Sequence, residues 1–205
     1  MSTGVGAALS DAPLRLPDTD WLHHRLAVVG PAQAVAAFAA SAQGAGTIPW
    51  WLDAMQMEED LFHRLIAPPA PQTRSLSLEG AWALARQLTE ASIARHAAAL
   101  ARVGTSRACP FDLHALVPVP PDILRLGPSD PQALAWLWVH WGTTDALRHA
   151  ALEPAPMLRT PLPADTAEVR YGFWSADWTP WRAVTLLRER WPMLRLDIRP
   201  TYAVS

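Results

Sequence analysis

The chain contains no lysine and no asparagine, and all 17 of its basic residues are arginine. Without lysine there is no Walker-A phosphate loop and no Schiff-base chemistry. Both missing residues use AT-rich codons, so a GC-rich genome explains their joint absence more economically than selection for arginine's planar fork. Cysteine is nearly absent as well. Cys109 stands alone, which excludes an internal disulfide and a CxxC pair for zinc or redox work. No apolar run approaches the roughly 18 residues that a membrane span requires. Residues 1–20 lack the basic start and apolar block of a signal peptide and are read as a mobile leader. A cytoplasmic protein is the expectation. With a net charge of −2, whole-protein charge signals neither nucleic acid nor membrane.

What is present is a chain of 205 residues, half of them hydrophobic, enough for one core or one domain with a sizeable insertion. Leu22 to Gly30 alternates as a strand, with Leu22, His24, Leu26 and Val28 on one face. Pro31 then suits the start of a helix through Ala42. Leu52 to Ile66 has helical spacing. After a Pro-rich loop (Pro68–Pro71), a long helix from Leu78 to Val103 carries the stripe Leu78, Trp82, Ala85, Leu88, Ser92, Leu100 and Val103, with Gly104 beyond it. Phe111 to Val117 reads as a short strand. Asp130 as N-cap, Pro131 at the first position and Gly142 at C′ make Pro131 to Trp141 a helix.

Asp145 to Leu152 and Glu168 to Ala176 read as strands. Thr179-Pro180 is expected to cap a helix to Trp191, striped by Trp181, Val184, Leu187 and Trp191. Leu194, Leu196, Ile198, Tyr202 and Val204 then alternate with Arg195, Asp197, Arg199 and Thr201, giving a strand with one dry and one charged face. Together these elements give an α+β, ferredoxin-like βαββαβ antiparallel sheet split by a mostly helical insertion. The expected boundaries are a leader at 1–20, a β-α unit at 21–46, the insertion at 47–142 and the ββαβ remainder at 143–205.

Several strings resemble the YubB-like family, plasmid- and phage-encoded proteins with a ferredoxin-like C-terminal domain and no characterised function. They are His24-Arg-Leu-Ala-Val-Val-Gly-Pro31, Phe111-Asp-Leu-His-Ala-Leu-Val-Pro-Val-Pro120, Trp138-Val-His-Trp-Gly-Thr143, Phe173-Trp-Ser-Ala-Asp-Trp-Thr-Pro180 and Trp191-Pro192. One departure stands out: Thr144-Asp145 replace the Lys-Trp that usually follows Trp-Gly-Thr in the family. The resemblance implies a bacterial home on mobile DNA and carries over no catalytic or cofactor-binding residues.

Three groups of side chains are candidates for chemistry. Seven of the eleven tryptophans, Trp136, Trp138, Trp141, Trp174, Trp178, Trp181 and Trp191, fall in the C-terminal half. They are expected chiefly to fill space between sheet and insertion, leaving one or two exposed as stacking platforms. Trp174 and Trp178 are the candidates, with Arg182, Arg188, Arg190 and Arg195 beside them for phosphates or an acidic partner, although a solvated outer face partly paired with Glu189 and Asp197 is preferred for these arginines. Glu59, Asp60 and His63 share a helix face as a metal candidate, but the second Glu-x-x-His that a di-metal bundle needs is missing, and a solvated acidic face is preferred. Cys109 and the serines lack any nucleophile motif.

The leading expectation is therefore a non-enzymatic accessory or interaction protein without cofactor. Its partner is another macromolecule, a protein ahead of a nucleic acid, and a homodimer through strand edges is allowed. Single-stranded nucleic-acid binding through exposed Trp and Arg is the alternative, to be favoured if Trp174 or Trp178 is exposed beside arginine. A metal-dependent enzyme is the second alternative.

Overall fold

Trp21–Pro31 forms strand β1, and its burial alternates as a half-covered strand requires: His24, Leu26 and Val28 are fully buried while Arg25 is exposed. The computed structural model describes residues 19–67, 76–154, 163 and 165–201. Residues 1–18 of the expected leader, the Pro68–Pro71 loop, Tyr202 and Val204 lie outside the described residues.

Three further strands follow: β2 (Arg148–Leu152), β3 (Thr166–Ala176) and β4 (Arg195–Pro200). They make one antiparallel sheet in the order β2-β3-β1-β4. β1 pairs along its whole length with β3, from Trp21 opposite Ala176 to Pro31 opposite Thr166, and on its other side with β4. The two longest strands are thus central.

Helix α1 (Ala32–Ala42) follows β1 directly and buries Val35, Phe38 and Ala42. Phe38 is held edge-on by Trp191 at 5.6 Å and tilted against Tyr171 at 6.4 Å. Helix α7 (Trp181–Arg190) buries Ala183, Val184 and Leu187. These helices join the core made by Leu26, Val28, Tyr171, Phe173, Leu196 and Ile198, which all project to one side of the sheet. A fully buried side chain of this size contributes about 1.5–3 kcal/mol.

Between α1 and β2 the chain makes two different excursions. Gly44 and Cys109 exchange both backbone hydrogen bonds, at 3.0 Å each, so residues 45–108 leave and return at one clasp. Within them lie α2 (Ala54–Ile66), capped by Asp53, and α3 (Leu78–Leu100), capped by Ser77. Their satellite core consists of Phe62, Ala81 and Ala85, with Phe62 stacked on Trp82 at 3.9 Å. His96 Nε2 donates to the Trp50 carbonyl at 2.8 Å and ties the hairpin to the body. Residues 109–142, by contrast, complete the main core. Phe111 stacks on Tyr171 and Phe173 at 5.0 and 5.2 Å, and Leu113, Val117, Leu137 and Trp141 are buried beside it.

Several expectations need correction. Phe111 to Val117 is not a strand. Asp112 caps a single helical turn, α4 (Leu113–Leu116), by accepting the His114 N–H at 2.9 Å, and the apolar alternation belongs to that capped turn. A short helix not anticipated from the sequence, α5 (Pro121–Leu126), follows, with Pro121 at a first position that needs no N–H donor. The expected stripe on α3 is centred on small residues instead: Ala81, Ala85 and Thr89 are buried, while Leu78, Trp82, Leu88 and Leu100 stay exposed on its shoulders. Small residues let α2 approach closely. The tryptophans divide more evenly than expected: Trp141 is fully buried, but Trp174, Trp178 and Trp181 are exposed. Trp181 stands at the first position of α7, ahead of the buried turn. The helix expected over Pro131 to Trp141 is present as α6 (Pro131–His140), with Asp130 accepting from Gln132 and Ala133, and Gly142 in the left-handed region at φ +78°.

Candidate functional site

The side of the sheet opposite the core is built by the residues that alternate out of phase with it. On β1 these are Trp21, His23, Arg25, Ala27 and Val29, and the register places Trp174, Gly172, Arg170 and Glu168 of β3 beside the last four in turn. On β4 they are Arg199, Asp197 and Arg195, opposite Arg25, Ala27 and Val29. One end of this face is aromatic. Trp174 is 38% exposed on a central strand, 5.1 Å from the His23 ring, with Arg148 of β2 paired to it on the other side. The Arg148 guanidinium lies 3.6 Å over the ring of Trp21.

One residue pair further along, the face turns basic. A cleft of about 630 Å³ is lined by Arg25, Arg170, Arg195 and Arg199, against the carboxylates of Glu168 and Asp197. Arg170 pairs with Glu168 at 2.7 Å, and Arg199 with Asp197 at 2.8 Å. Arg25 pairs with Glu153, next after β2, at 3.0 Å, and among the described residues Arg195 has no carboxylate within 4 Å. The hydrogen bond from Arg199, then the charges of Arg199, Arg195 and Arg188, hold the Asp197 carboxyl below the usual carboxylate range. Four guanidinium groups against the three carboxylates of Glu153, Glu168 and Asp197 leave a local excess of one positive charge on a protein whose net charge is −2. Flat aromatic faces beside fixed cations are what a base and its phosphate require.

The sequence-based candidates are divided by this geometry. Trp174 and Arg195 lie on the face. Trp178 lies past the end of β3, 40% exposed and edge-on to Trp138 at 6.1 Å. Arg182 is exposed in the first turn of α7. Arg188 and Arg190 serve the architecture: Arg188 donates twice to the Leu196 carbonyl, at 3.2 and 2.7 Å, and Arg190 donates to the Leu116 carbonyl at 2.6 Å. Sequence reasoning missed His23, Arg25, Arg170 and Arg199 as a set. The signal was present in β1, where His23 and Arg25 alternate with the core residues His24 and Leu26.

The metal candidates do not converge. Glu59 and His63 are 3.7 Å apart and largely exposed, and Asp60 accepts instead from the Gln56 amide at 2.9 Å. Among the described residues no three His, Cys, Asp or Glu side chains meet. A second cleft, of about 820 Å³, lies nearby between the start of α2 and the end of α5, with Trp51, Met55 and Leu126 exposed along it.

A His–Ser contact sits under the sheet, but it is structural. Ser175 is fully buried and donates to the Trp178 carbonyl at 2.5 Å. His24 Nδ1 is 2.9 Å from the Leu22 carbonyl and therefore carries the proton, so Nε2 accepts from Thr179 Oγ1 at 2.7 Å. Burial lowers the His24 pKa, keeping the ring neutral in this role. The strings that stood out in the sequence meet around it. Thr143 donates to the Ala176 carbonyl at 2.8 Å, Thr144 to Asp177 at 3.3 Å, and the Trp141 carbonyl accepts from Ala183 at 3.2 Å.

The sheet edges are guarded. His149, at φ +50°, lies in a bulge that interrupts β2, and Arg188 occupies the Leu196 carbonyl of β4. Among the described residues no helix is long and apolar enough to cross a membrane. Comparison with protein-family models, with curated proteins and with solved structures finds no match to this chain.

Proposed function

We propose that the open face of the sheet binds single-stranded nucleic acid, with a base stacked at Trp174 and backbone phosphates held in the arginine cleft. The observation that carries this reading is Trp174, exposed on a central strand between His23 and Arg148, one residue pair from Arg25 and Arg199. Aromatic residues on central strands serve single-stranded recognition in RNA-binding sheets. The proposed frame is a ferredoxin-like βαββαβ unit. The strand order β2-β3-β1-β4, with α1 after β1 and α7 between β3 and β4, supports it. In this frame the helical insertion lies between α1 and β2. The resemblance to the YubB-like family adds a role as an accessory protein of a bacterial mobile element, where single strands arise during transfer and replication.

The test is fluorescence anisotropy of a labelled oligothymidylate, and of the matching oligouridylate, titrated with the protein across a range of salt. Binding should weaken steeply as salt rises. Trp174→Ala should weaken it about 5- to 150-fold, the loss of one stacked base. Arg195→Ala should weaken it and flatten the salt dependence by about one phosphate contact. Arg188→Ala with Arg190→Ala should leave affinity nearly unchanged. Absence of binding at low salt would overturn the reading. The second reading, an interaction protein with a protein partner, would then rest on Val139, Trp178 and Trp181, exposed around the α6–α7 junction.

A further inference from the structure

At the centre of the open face, the side chain of Glu153 lies across Gly172. A Cβ built on Gly172 would stand 2.5 Å from Glu153 Oε1 and 3.1 Å from its Cδ, so the glycine is what makes room for this crossing. The Glu153 N–H donates to the Arg170 carbonyl at 2.9 Å, which fixes the origin of the side chain. Its carboxylate ends on Arg25, with Oε2 at 3.0 Å and Oε1 at 3.3 Å from Nε. Both oxygens share the one Nε–H, which leaves the terminal guanidinium N–H groups of Arg25 without a contact to Glu153 and the pair short of a full two-pronged fork. The position matters as much as the contact. Gly172 lies between Trp174 and Arg170 along β3, so a strand that stacks a base on Trp174 and reaches the arginine cleft passes over it.

We propose that Glu153 is a resident phosphate mimic that competes with the nucleic-acid backbone for Arg25. The inference rests on the single-strand reading given above and states how that site is regulated. In the free protein the carboxylate neutralises Arg25 and fills the slot over Gly172. An incoming phosphate displaces it and takes over the same guanidinium. The Arg25 side chain is 62% exposed, so the resident pair is weak and screened by salt, as a displaceable occupant must be. The pair sets a threshold: a ligand must bring its own anion to Arg25, so an uncharged base stacking on Trp174 gains nothing there.

The experiment is a double-mutant cycle read by anisotropy with the labelled oligothymidylate. Glu153→Gln keeps the shape and removes the charge. It should tighten binding 3- to 10-fold at low salt, and the gain should shrink as salt rises. In the Arg25→Ala background the same substitution should give no gain, because the group being competed for is absent. Suppose Trp174→Ala weakens binding, yet Glu153→Gln changes nothing or gives the same gain with and without Arg25. The competitor role is then overturned and the single-strand reading stands. No binding by the parent protein at low salt overturns both.

Discussion

Gly44→Ala should unfasten the clasp at the base of the helical excursion, because the methyl group lands on Asp112. A Cβ at residue 44 would meet the Asp112 Oδ2 directly and lie only 2.8 and 2.9 Å from its Cγ and Cβ, so the whole carboxylate must move. That carboxylate is buried and accepts the N–H groups of Gly46 and His114, each at 2.9 Å. Each lost hydrogen bond to a charged acceptor is worth about 1.5–3 kcal/mol, and partial relaxation brings the expected total to about 2–4 kcal/mol. Asp112→Ala removes the same two acceptors and should cost a similar amount. In the Asp112→Ala background the carboxylate is gone but the Cβ of residue 112 still stands 2.9 Å from the new methyl group, so Gly44→Ala should cost clearly less than in the parent without becoming neutral. The three proteins would be compared by urea unfolding, where 2–4 kcal/mol moves the midpoint by about 1–2 M. Cys109 supplies a second readout. Burial pushes its thiol pKa up, and it is hydrogen-bonded into the clasp through its backbone, so its labelling rate should rise in Gly44→Ala. Additive costs in the double mutant, or a Gly44→Ala cost below about 0.5 kcal/mol, would refute the assignment of Asp112 as the obstacle.

Burial lowers the pKa of both His24 and His114 below their ordinary 6.5, and each ring accepts a hydrogen bond on an unprotonated nitrogen. The unfolded chain therefore takes up protons before the folded one, and stability is full above that value and lost as pH falls through the folded pKa values; urea midpoints at about pH 5.5 should lie below those at about pH 8. Ser175 and Trp174 are neighbours on opposite faces of β3, so Ser175→Ala should cost about 1–3 kcal/mol of stability with little effect on oligonucleotide affinity. Trp174→Ala should do the reverse, and parallel loss of both properties in either variant would refute the two-face assignment. The α2–α3 hairpin has its own small core, so Phe62→Ala should speed hydrogen exchange in its amides while those of β1 and β3 keep their protection.

The frame was legible where local chemistry and tertiary packing agree. The alternation around His24, Leu26 and Val28 located β1, the Asp130-Pro131…Gly142 signals located α6, and Val184 and Leu187 marked the packed side of α7, although Trp181, read into the same stripe, is exposed. It was illegible where one polar contact overrides a pattern. The apolar alternation from Phe111 matches a strand until Asp112 folds back onto the His114 N–H. The division of the insertion was hidden as well, since both of its parts are helical and apolar. Only the Gly44–Cys109 pairing separates the excursion from the segment that completes the core. At the candidate site, the charged alternation of Arg195, Asp197 and Arg199 was visible, but its partners Arg25 and Arg170 depend on strand register, which no single segment reveals. Arg188 and Arg190 misled for the opposite reason: a run of arginines looks available until each is assigned a backbone carbonyl.

The two faces of the sheet carry different kinds of information. The distinctive strings Trp141-Gly-Thr143, Ala176-Asp-Trp178-Thr-Pro180 and the His24 strand meet in one buried network, where Thr143, Asp177, Thr179 and His24 fix the loop after β3. Such residues are specified tightly because a buried polar group must find its partner. A strand face without that constraint holds arginine, tryptophan and histidine only if something outside the chain uses them, or if solvent tolerates them. Solvent alone accounts poorly for the arrangement across β1, β3 and β4. Trp174 stands beside His23 rather than among apolar neighbours, and three of the four cleft arginines are partnered by carboxylates that can be exchanged for phosphate. Local pairing keeps the face compatible with solvent, and the fixed strands keep its cations in register, which is what the proposed single-strand site requires. The motifs that are easiest to read in the sequence thus hold the sheet in place, and the proposed binding chemistry falls to the residues between them.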